Sequence, residues 1–302
     1  MQRASDLLME TLLCKTCNNP TFICNCDTTW KTFNDTLVSK CSGKNENGIV
    51  YTSLSISTMT ICFNFNQFIN LQHLKDNLPE YFILSYKPGS KKSKVKKKKG
   101  TDSFYNSFDI KISFADRSTT PVTFSNVSIF IFPNGKVKAA GVKTINTIKL
   151  MIDEITDIIT SVDGVIENKE TFGPENIKIQ MICSDFKIKP VKDDPDGWCL
   201  KQEDLKNILV KQGYSATFSA LSRYPGINLK FPSIIEKDKQ ISLLIFRSGS
   251  IIITGAKNIK DISESYIFIT NLISNNSSLF YHDINEEIKQ KKKKKTIKFY
   301  QN

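Results

Sequence analysis

Residues 128–148 read SIFIFPNGKVKAAGVKTINTI, and residues 242–262 repeat the pattern as SLLIFRSGSIIITGAKNIKDI. Four pairs of landmarks are each separated by 114 positions, namely Phe132 and Phe246, Gly135 and Gly249, Gly141 and Gly255, and Lys143 and Lys257. Four coincidences at one offset indicate an internal duplication. The chain therefore consists of two related halves, and we expect both halves to fold in the same way.

The two halves differ in length upstream of this segment. Residues 74–78 (LKDNL) resemble residues 205–209 (LKNIL) at an offset of 131, which is 17 more than the offset of the hairpin segment. A lysine-rich insertion at about 87–107 in the first half accounts for the difference. The predicted organisation comprises an N-terminal extension (1–48), a first repeat (49–165), a second repeat (172–283) and a basic C-terminal tail (284–302).

The hydrophobic pattern predicts the same series of elements in each half. An alternating strand precedes a short amphipathic helix, about four strands follow in hairpin succession, and a longer helix ends the half. The first strand is predicted at 54–65 in the first half and at 177–188 in the second. The short helix is predicted at 70–78 and 201–211, and the long helix at 144–161 and 260–274. Asn134-Gly135 and Ser248-Gly249 suit tight hairpin turns. Strand runs with helices on one face predict an α+β fold.

The positive charge is concentrated in two lysine runs. Residues 91–99 and 289–298 hold seven lysines each and no acidic residue, and removing those fourteen charges from the formal net charge of +12 leaves −2. The folded part is therefore close to neutral. A lysine run is either a solvated segment or a contact for phosphates.

The cysteines suggest a metal site rather than disulfide bonds. Cys14, Cys17, Cys24 and Cys26 could supply four thiolates to a structural zinc ion, with Cys41 as a substitute for one of them. Unliganded thiols are the alternative. Residues 1–10 lack the apolar segment of an export signal, and no stretch has the eighteen apolar residues of a membrane span. These features favour an intracellular protein that does not enter a membrane.

The second repeat resembles the TATA-box-binding protein family. The resemblance lies in residues 243–249 (LLIFRSG), in Thr254-Gly255-Ala256-Lys257 and in Tyr224-Pro225-Gly226-Ile227, and it covers roughly 50–283. It implies a pseudo-symmetric saddle, in which helices cover the convex face of a curved antiparallel sheet and the concave face binds and bends the DNA minor groove. The basic insertion and the divergence of the first repeat resemble family members from large DNA viruses.

The resemblance also implies DNA-contacting residues. Aromatic wedges would be Tyr224 and Phe246 in the second repeat and Phe132 and Phe108 in the first, with Phe104 as the alternative to Phe108. Pro225 would lie beside its wedge. The remaining implied contacts are the groove residues Phe130, Lys138, Leu244, Ile252 and Thr254 and the phosphate contacts Lys136, Lys143, Lys230 and Lys257.

Several positions depart from the family pattern. Lys138 replaces an apolar groove residue, Ala140 replaces a threonine and Ser250 replaces a basic residue. The central asparagines of the family are not evident, and the nearest positions hold residues such as Ser55, Thr58, Ile179 and Gln180. These departures argue against strict TATA preference.

The resemblance implies a transcription initiation factor without catalytic activity. It would bind AT-rich double-stranded DNA as a monomer, need no cofactor for that binding, and recruit initiation factors and RNA polymerase in a nucleus or a cytoplasmic viral factory. Two alternatives are a nucleic-acid-binding module of an enzyme and a sequence-independent basic DNA-binding protein. The two histidines lie in no metal-like spacing, and the sequence contains no P-loop, nucleophile elbow or clustered acidic pair.

Overall fold

The structure is a computed structural model that describes residues 48–52, 54–79, 83–86, 106–190, 197–221 and 225–283. The described residues form two compact units. The first unit contains residues 58–181, and the second contains residues 48–57 and 182–283, each with the gaps just given. Strands β2 (Ser55–Phe65) and β7 (Pro174–Pro190) are each divided between the units.

The first unit is an antiparallel sheet with two helices. Its strands lie in the order β3-β4-β5-β6-β2. The elements are β3 (Ile83–Tyr86), β4 (Phe108–Asp116), β5 (Thr123–Ile131), β6 (Lys136–Val142), α1 (Leu71–Asn77) and α2 (Ile145–Ser161). This unit therefore has the predicted α+β composition, with a short helix before the hairpin strands and a long helix after them.

The second unit repeats this arrangement. Its main sheet has the order β7-β12-β11-β10-β9, and β1 pairs with the end of β7. The elements are β1 (Ile49–Tyr51), β8 (Trp198–Leu200), α3 (Gln202–Lys211), β9 (Ser215–Thr217), β10 (Gly226–Pro232), β11 (Gln240–Phe246), β12 (Ser250–Ala256), α4 (Ile259–Ser274), a 3-10 turn (Ser277–Leu279) and β13 (Phe280–His282). Strands β8 and β13 form a separate two-stranded ribbon.

The hairpin turns are built identically in the two units. Gly135 and Gly249 both have φ of +77°, a conformation that favours glycine. Their carbonyl oxygens accept hydrogen bonds from Phe65 N at 2.8 Å and Ile188 N at 2.9 Å. A Cβ atom would lie 2.4 Å from the Phe65 oxygen at Gly135 and 2.0 Å from the Ile188 oxygen at Gly249. Glycine is therefore required at both turns, which explains two of the repeated landmarks.

The long helices begin at equivalent N-caps. The Thr144 side chain accepts from Thr147 N at 3.1 Å, and the Asn258 side chain accepts from Asp261 N at 2.8 Å. Each bond satisfies a backbone donor that the first turn leaves without an intrahelical partner. Both caps are again 114 residues apart, so the offset extends from the hairpin into the helix.

Each sheet packs its helices on one face. The apolar stripe of α2 (Ile148, Met151, Ile152, Ile155 and Ile159) is fully buried, and the buried positions of β5 and β6 alternate along each strand. In the second unit the Phe186 ring contacts the Tyr266 ring of α4 at 4.6 Å between centroids. None of the helices in the described part of the chain has the length and apolarity needed to cross a membrane.

The loop before β5 is anchored to the start of α2 by Asp116. This buried carboxylate accepts hydrogen bonds from Ser118 Oγ at 2.6 Å, Thr144 Oγ1 at 2.5 Å and Asn146 Nδ2 at 2.9 Å. Burial opposes the charge, but these bonds outweigh it and lower the pKa of Asp116 to about 2. The second unit makes the same link with a carboxylate of the helix, because Asp261 accepts from Ser233 Oγ and from Ile234 N.

Candidate nucleic-acid interface

One face of each main sheet is not covered by the helices of its unit. Along β5, β6, β11 and β12, buried residues facing the helices alternate with partly or fully exposed residues. The outer face of the first unit comprises Cys62, Asn64, Asn126, Ser128, Phe130, Phe132, Lys136, Lys138 and Ala140. The outer face of the second unit comprises Cys183, Asp185, Lys187, Asn228, Lys230, Ser242, Leu244, Phe246, Ser250, Ile252 and Thr254.

The strand register aligns the two outer faces residue by residue. Phe130 is paired with Lys138 in the first unit, and Leu244 is paired with Ile252 in the second. These pairs differ by the offset of 114. The complete rows across four strands are Cys62, Lys138, Phe130 and Asp109 in the first unit and Asp185, Ile252, Leu244 and Asn228 in the second. Equivalent positions therefore carry different chemistry.

The predicted wedge Phe246 is partly exposed and lies over a glycine of the neighbouring strand. Gly226 is its Cα partner, and a Cβ atom there would lie 3.1 Å from Phe246 Cε1. The Pro-Gly segment thus leaves room for this ring. Pro225 is exposed, and its carbonyl accepts from the buried Gln202 side chain at 2.9 Å. Tyr224 lies outside the described residues.

In the first unit, Phe132 occupies the position equivalent to Phe246 and is partly exposed. The prediction that Phe108 is the second wedge is wrong, because its side chain is 0% exposed. Phe108 pairs with Ile131, which faces the helices, and directly paired residues of antiparallel strands point to the same side. The ring is a core residue and presents no surface to a base.

The register also identifies the counterpart of Tyr224. Phe108 pairs with Ile131 as Ile227 pairs with Ile245, so an offset of 119 relates β4 to β10. Counting three residues back from each strand position makes Tyr105 the sequence counterpart of Tyr224. Tyr105 and the alternative wedge Phe104 both lie outside the described residues. The lysine-rich insertion conceals this second offset at the level of sequence.

The predicted phosphate contacts differ in their surroundings. Lys136 and Lys143 are exposed, whereas Lys257 is exposed but ion-paired with Glu236 at 3.3 Å. Lys230 is partly buried and donates to Ser242 Oγ at 2.7 Å. The offset of 119 gives Lys230 an exposed counterpart, Lys111, which pairs with Ser128 on β5. Sequence reasoning misses Lys111 because only the strand pairing reveals this offset.

The remaining predicted groove residues lie together on the outer faces. Phe130, Lys138, Leu244, Ile252 and Thr254 are all partly exposed. Thr254 Oγ1 lies 3.0 Å from Cys183 Sγ on the neighbouring strand. Burial raises the pKa of the Cys62 thiol, and the charge of Lys138 offsets this effect only in part. Cys62 is therefore a neutral thiol at physiological pH.

The predicted zinc ligands Cys14, Cys17, Cys24 and Cys26, with the substitute Cys41, lie outside the described residues. Within the described ranges, no group of three or more histidine, cysteine, aspartate or glutamate side chains could hold a metal ion. Both lysine runs also lie outside those ranges.

Comparisons with known proteins place the similarity in the same part of the chain. Residues 204–275 match the family described as transcription factor TFIID, or TATA-binding protein, TBP. A TATA-box-binding protein-like protein of Acanthamoeba polyphaga mimivirus is 27% identical over 246 residues, which cover 74% of this chain and 65% of that protein. The solved structure of Methanococcus jannaschii TBP matches with a TM-score of 0.48 and 19% identity, and the match covers 74% of this chain and 99% of that one.

The family match lies within the second unit, where the motif residues of β10 to β12 are found. The mimivirus relative extends the similarity over most of the chain. The internal duplication, the equivalent hairpins and these two sequence matches agree. Residues 204–275 of the second unit are therefore similar to the TATA-binding protein family, and most of the chain is similar to a TBP-like protein of mimivirus.

Proposed function

We propose that the protein is a transcription initiation factor that binds promoter DNA through the minor groove, bends it, and recruits the transcription machinery. One observation carries the proposal. Identical hairpin turns hold two phenylalanines, Phe132 and Phe246, partly exposed on sheet faces that the helices of their units leave open. Apolar rings that insert between base steps kink a duplex towards the major groove.

The chemistry of the neighbouring residues supports minor-groove contact. Leu244 and Ile252 form an apolar pair beside Phe246, and the minor groove offers few hydrogen-bond differences to be read. Contact area and the deformability of the duplex then carry most of the recognition. Exposed lysines at 111, 136 and 143 are available to phosphates and would make binding depend on salt.

A matched pair of double variants tests this function. Phe132→Ala with Phe246→Ala removes both rings, whereas Leu150→Ala with Val210→Ala removes two exposed apolar side chains from helices α2 and α3. Gel-shift and bending assays on AT-rich duplexes should show lower affinity and a smaller bend for the first variant only. Unchanged affinity and bend angle in the phenylalanine variant would contradict the wedge mechanism.

The same function implies protein partners. Initiation factors and RNA polymerase would bind surfaces other than the outer faces, in a nucleus or in a cytoplasmic viral factory. We further propose that Cys14, Cys17, Cys24 and Cys26 hold a structural zinc ion. Metal analysis of the purified full chain tests the zinc proposal, with Cys14→Ser and Cys17→Ser expected to abolish stoichiometric zinc.

A further inference from the structure

We propose that Asp185 is a specificity-determining residue that accepts a hydrogen bond from the 2-amino group of a guanine in the minor groove. The inference rests on the proposed function, because it concerns the base pairs that the second unit contacts when it binds DNA. It predicts that the preferred site is not purely AT, but contains a guanine at one position in the half contacted by the second unit.

Asp185 lies on the outer face of the second unit. Its neighbours along β7, Ser184 and Phe186, are buried, and the Phe186 ring packs against α4. Because side chains alternate along a strand, Asp185 points away from the helices and is partly exposed. Its Cα partner on β12 is Ile252, which in turn pairs with Leu244. The carboxylate thus lies at the edge of the apolar pair predicted to enter the groove.

The carboxylate has no compensating partner in the described part of the chain. No hydrogen bond or ion pair of the Asp185 side chain is present there, although its main-chain carbonyl accepts from Ser55 Oγ at 3.4 Å. Lys187 lies two residues along the same face but forms no ion pair with Asp185. A charged acceptor would therefore enter the DNA interface unpaired, which costs free energy unless the DNA supplies a donor.

Only one base edge in the minor groove supplies such a donor. A·T and T·A pairs present only the acceptors adenine N3 and thymine O2, whereas a G·C pair adds the N2 amino group of guanine. A carboxylate among A·T pairs faces acceptors on every side, and a carboxylate beside guanine forms a charge-assisted hydrogen bond. Asp185 should therefore reject A·T and select G·C at the base pair that it contacts.

The register limits where this guanine lies. Asp185 lies on β7, two strands away from β11, which carries Phe246. Its register partner on β11, reached through Ile252, is Leu244, which precedes Phe246 by two residues. Strand spacings of about 4.8 Å and residue rises of about 3.4 Å put the two Cα atoms roughly 12 Å apart. At about 3.4 Å per base pair, the guanine should lie within about four base pairs of the step wedged by Phe246. The first unit has Cys62 at the equivalent position, so no matching guanine is expected in its half.

Inosine substitution isolates the proposed hydrogen bond, because inosine lacks only the 2-amino group of guanine. The preferred duplex is first selected from a randomised library with the full-length protein. Each guanine is then replaced by inosine, and binding is measured for the wild type, Asp185→Val and a control, Glu264→Val, which removes an exposed carboxylate from α4. At one position inosine should weaken binding by the wild type and the control about tenfold, and should leave binding by Asp185→Val unchanged.

A reciprocal substitution completes the test. Replacing the selected G·C pair by 2,6-diaminopurine·T restores a minor-groove amino group and should restore wild-type affinity. DNA binding and bending that are insensitive to inosine at every guanine would overturn the role of Asp185 and leave the proposed function intact. Retention of the full inosine effect by Asp185→Val would overturn that role in the same way. If the full-length wild type binds no duplex at all, the proposed function fails and this inference fails with it.

Discussion

The outer face of the second unit is apolar where that of the first unit is cationic. Leu244 and Ile252 form an aliphatic pair, whereas the equivalent pair consists of Phe130 and Lys138. The backbone of the two hairpins is nevertheless the same, including the hydrogen bonds at Gly135 and Gly249. The duplication has thus kept the frame, which both halves need in order to fold, and has let the exposed surface diverge.

The backbone of the two units does not tolerate a side chain equally well at equivalent glycines, and the largest expected effect on stability follows from this difference. Gly141 and Gly255 are equivalent and have φ of +105° and +90°. A Cβ atom at Gly141 would lie 2.2 Å from the Asn126 carbonyl oxygen, whereas the nearest neighbour of a Cβ atom at Gly255 would be Ile241 Cα at 3.9 Å. The first unit therefore requires glycine at 141 because another backbone segment approaches closely. The second unit favours glycine at 255 only because of its positive φ.

We predict that Gly141→Ala lowers the free energy of unfolding by about 4 kcal/mol or more, because a backbone strand must move. Gly255→Ala should cost only about 1 kcal/mol, which is the usual penalty of a positive φ for alanine. Urea unfolding of the two variants measures the difference. Equal losses would mean that the two units are equally tight at this position.

The loop anchors give the next largest effect. In the first unit the anchoring carboxylate is Asp116 at the end of β4, whose pKa is lowered to about 2. A carboxylate whose pKa is lower in the folded state stabilises the fold above its unfolded value near 3.8, and the stabilisation is lost as the pH falls towards 2. The contribution corresponds to about 2 kcal/mol at neutral pH.

Asp116→Asn should therefore lower stability by about 2 kcal/mol at pH 7 and remove that part of the acid sensitivity between about pH 4 and pH 2. Asp238→Asn, which removes an exposed carboxylate elsewhere in the chain, is the matched control variant. Unfolding free energies measured across this pH range test the prediction. A variant that loses stability with falling pH as steeply as the wild type would rule out Asp116 as the source.

The contrast between the units also separates what the sequence can predict from what it cannot. The sequence predicts the hairpin turns and long helices within a few residues, because glycine turns, caps and apolar stripes are local features that repeat at one offset. The misplacement of Phe108 has a different cause. Strand β4 is related to β10 by an offset of 119, which depends on strand pairing across the insertion and becomes visible only when Phe108 is seen opposite Ile131.

The carboxylate contacts are beyond sequence reasoning for a similar reason. Asp116 comes from a strand and Asp261 from a helix, although both tie a loop to the start of the long helix. No sequence offset relates the two aspartates. The loop is tied to the long helix in both units, but the accepting carboxylate belongs to the strand in the first unit and to the helix in the second. Asp185 escapes prediction because alternation along β7 gives two faces, and the sequence does not tell which one the helices cover.

A smaller effect is expected from exchanging the chemistry of the outer faces. Lys138→Ile gives the first unit the residue of the second, and Ile252→Lys makes the reverse change. If Lys138 contacts a phosphate, Lys138→Ile should weaken binding about equally on all duplexes and reduce the slope of log affinity against log salt by about one. Ile252→Lys should instead impair binding most on the preferred duplex, since it disrupts the apolar pair.

Salt titrations of both variants on the selected duplex and on a scrambled one measure these effects. Deletion of both lysine runs, residues 91–99 and 289–298, provides a comparison, because a sequence-independent basic protein would lose binding altogether on losing these lysines, whereas a minor-groove binder would bind more weakly and still bend DNA. An unchanged salt slope for Lys138→Ile would mean that this lysine serves the first unit structurally and contacts no phosphate.

The smallest expected effect concerns the equivalent lysines Lys143 and Lys257. Lys257 is engaged by Glu236 at 3.3 Å, whereas Lys143 has no ion pair within the described residues. An exposed ion pair of this kind contributes about 0–1 kcal/mol to folding, so Glu236→Gln should leave the unfolding midpoint nearly unchanged. The substitution frees Lys257 for a phosphate and should raise DNA affinity about twofold at low salt, with no gain at high salt. Adding Lys257→Gln to Glu236→Gln should cancel the gain in DNA affinity. A gain that persists in this double variant would show that Glu236 acts on DNA by simple charge repulsion.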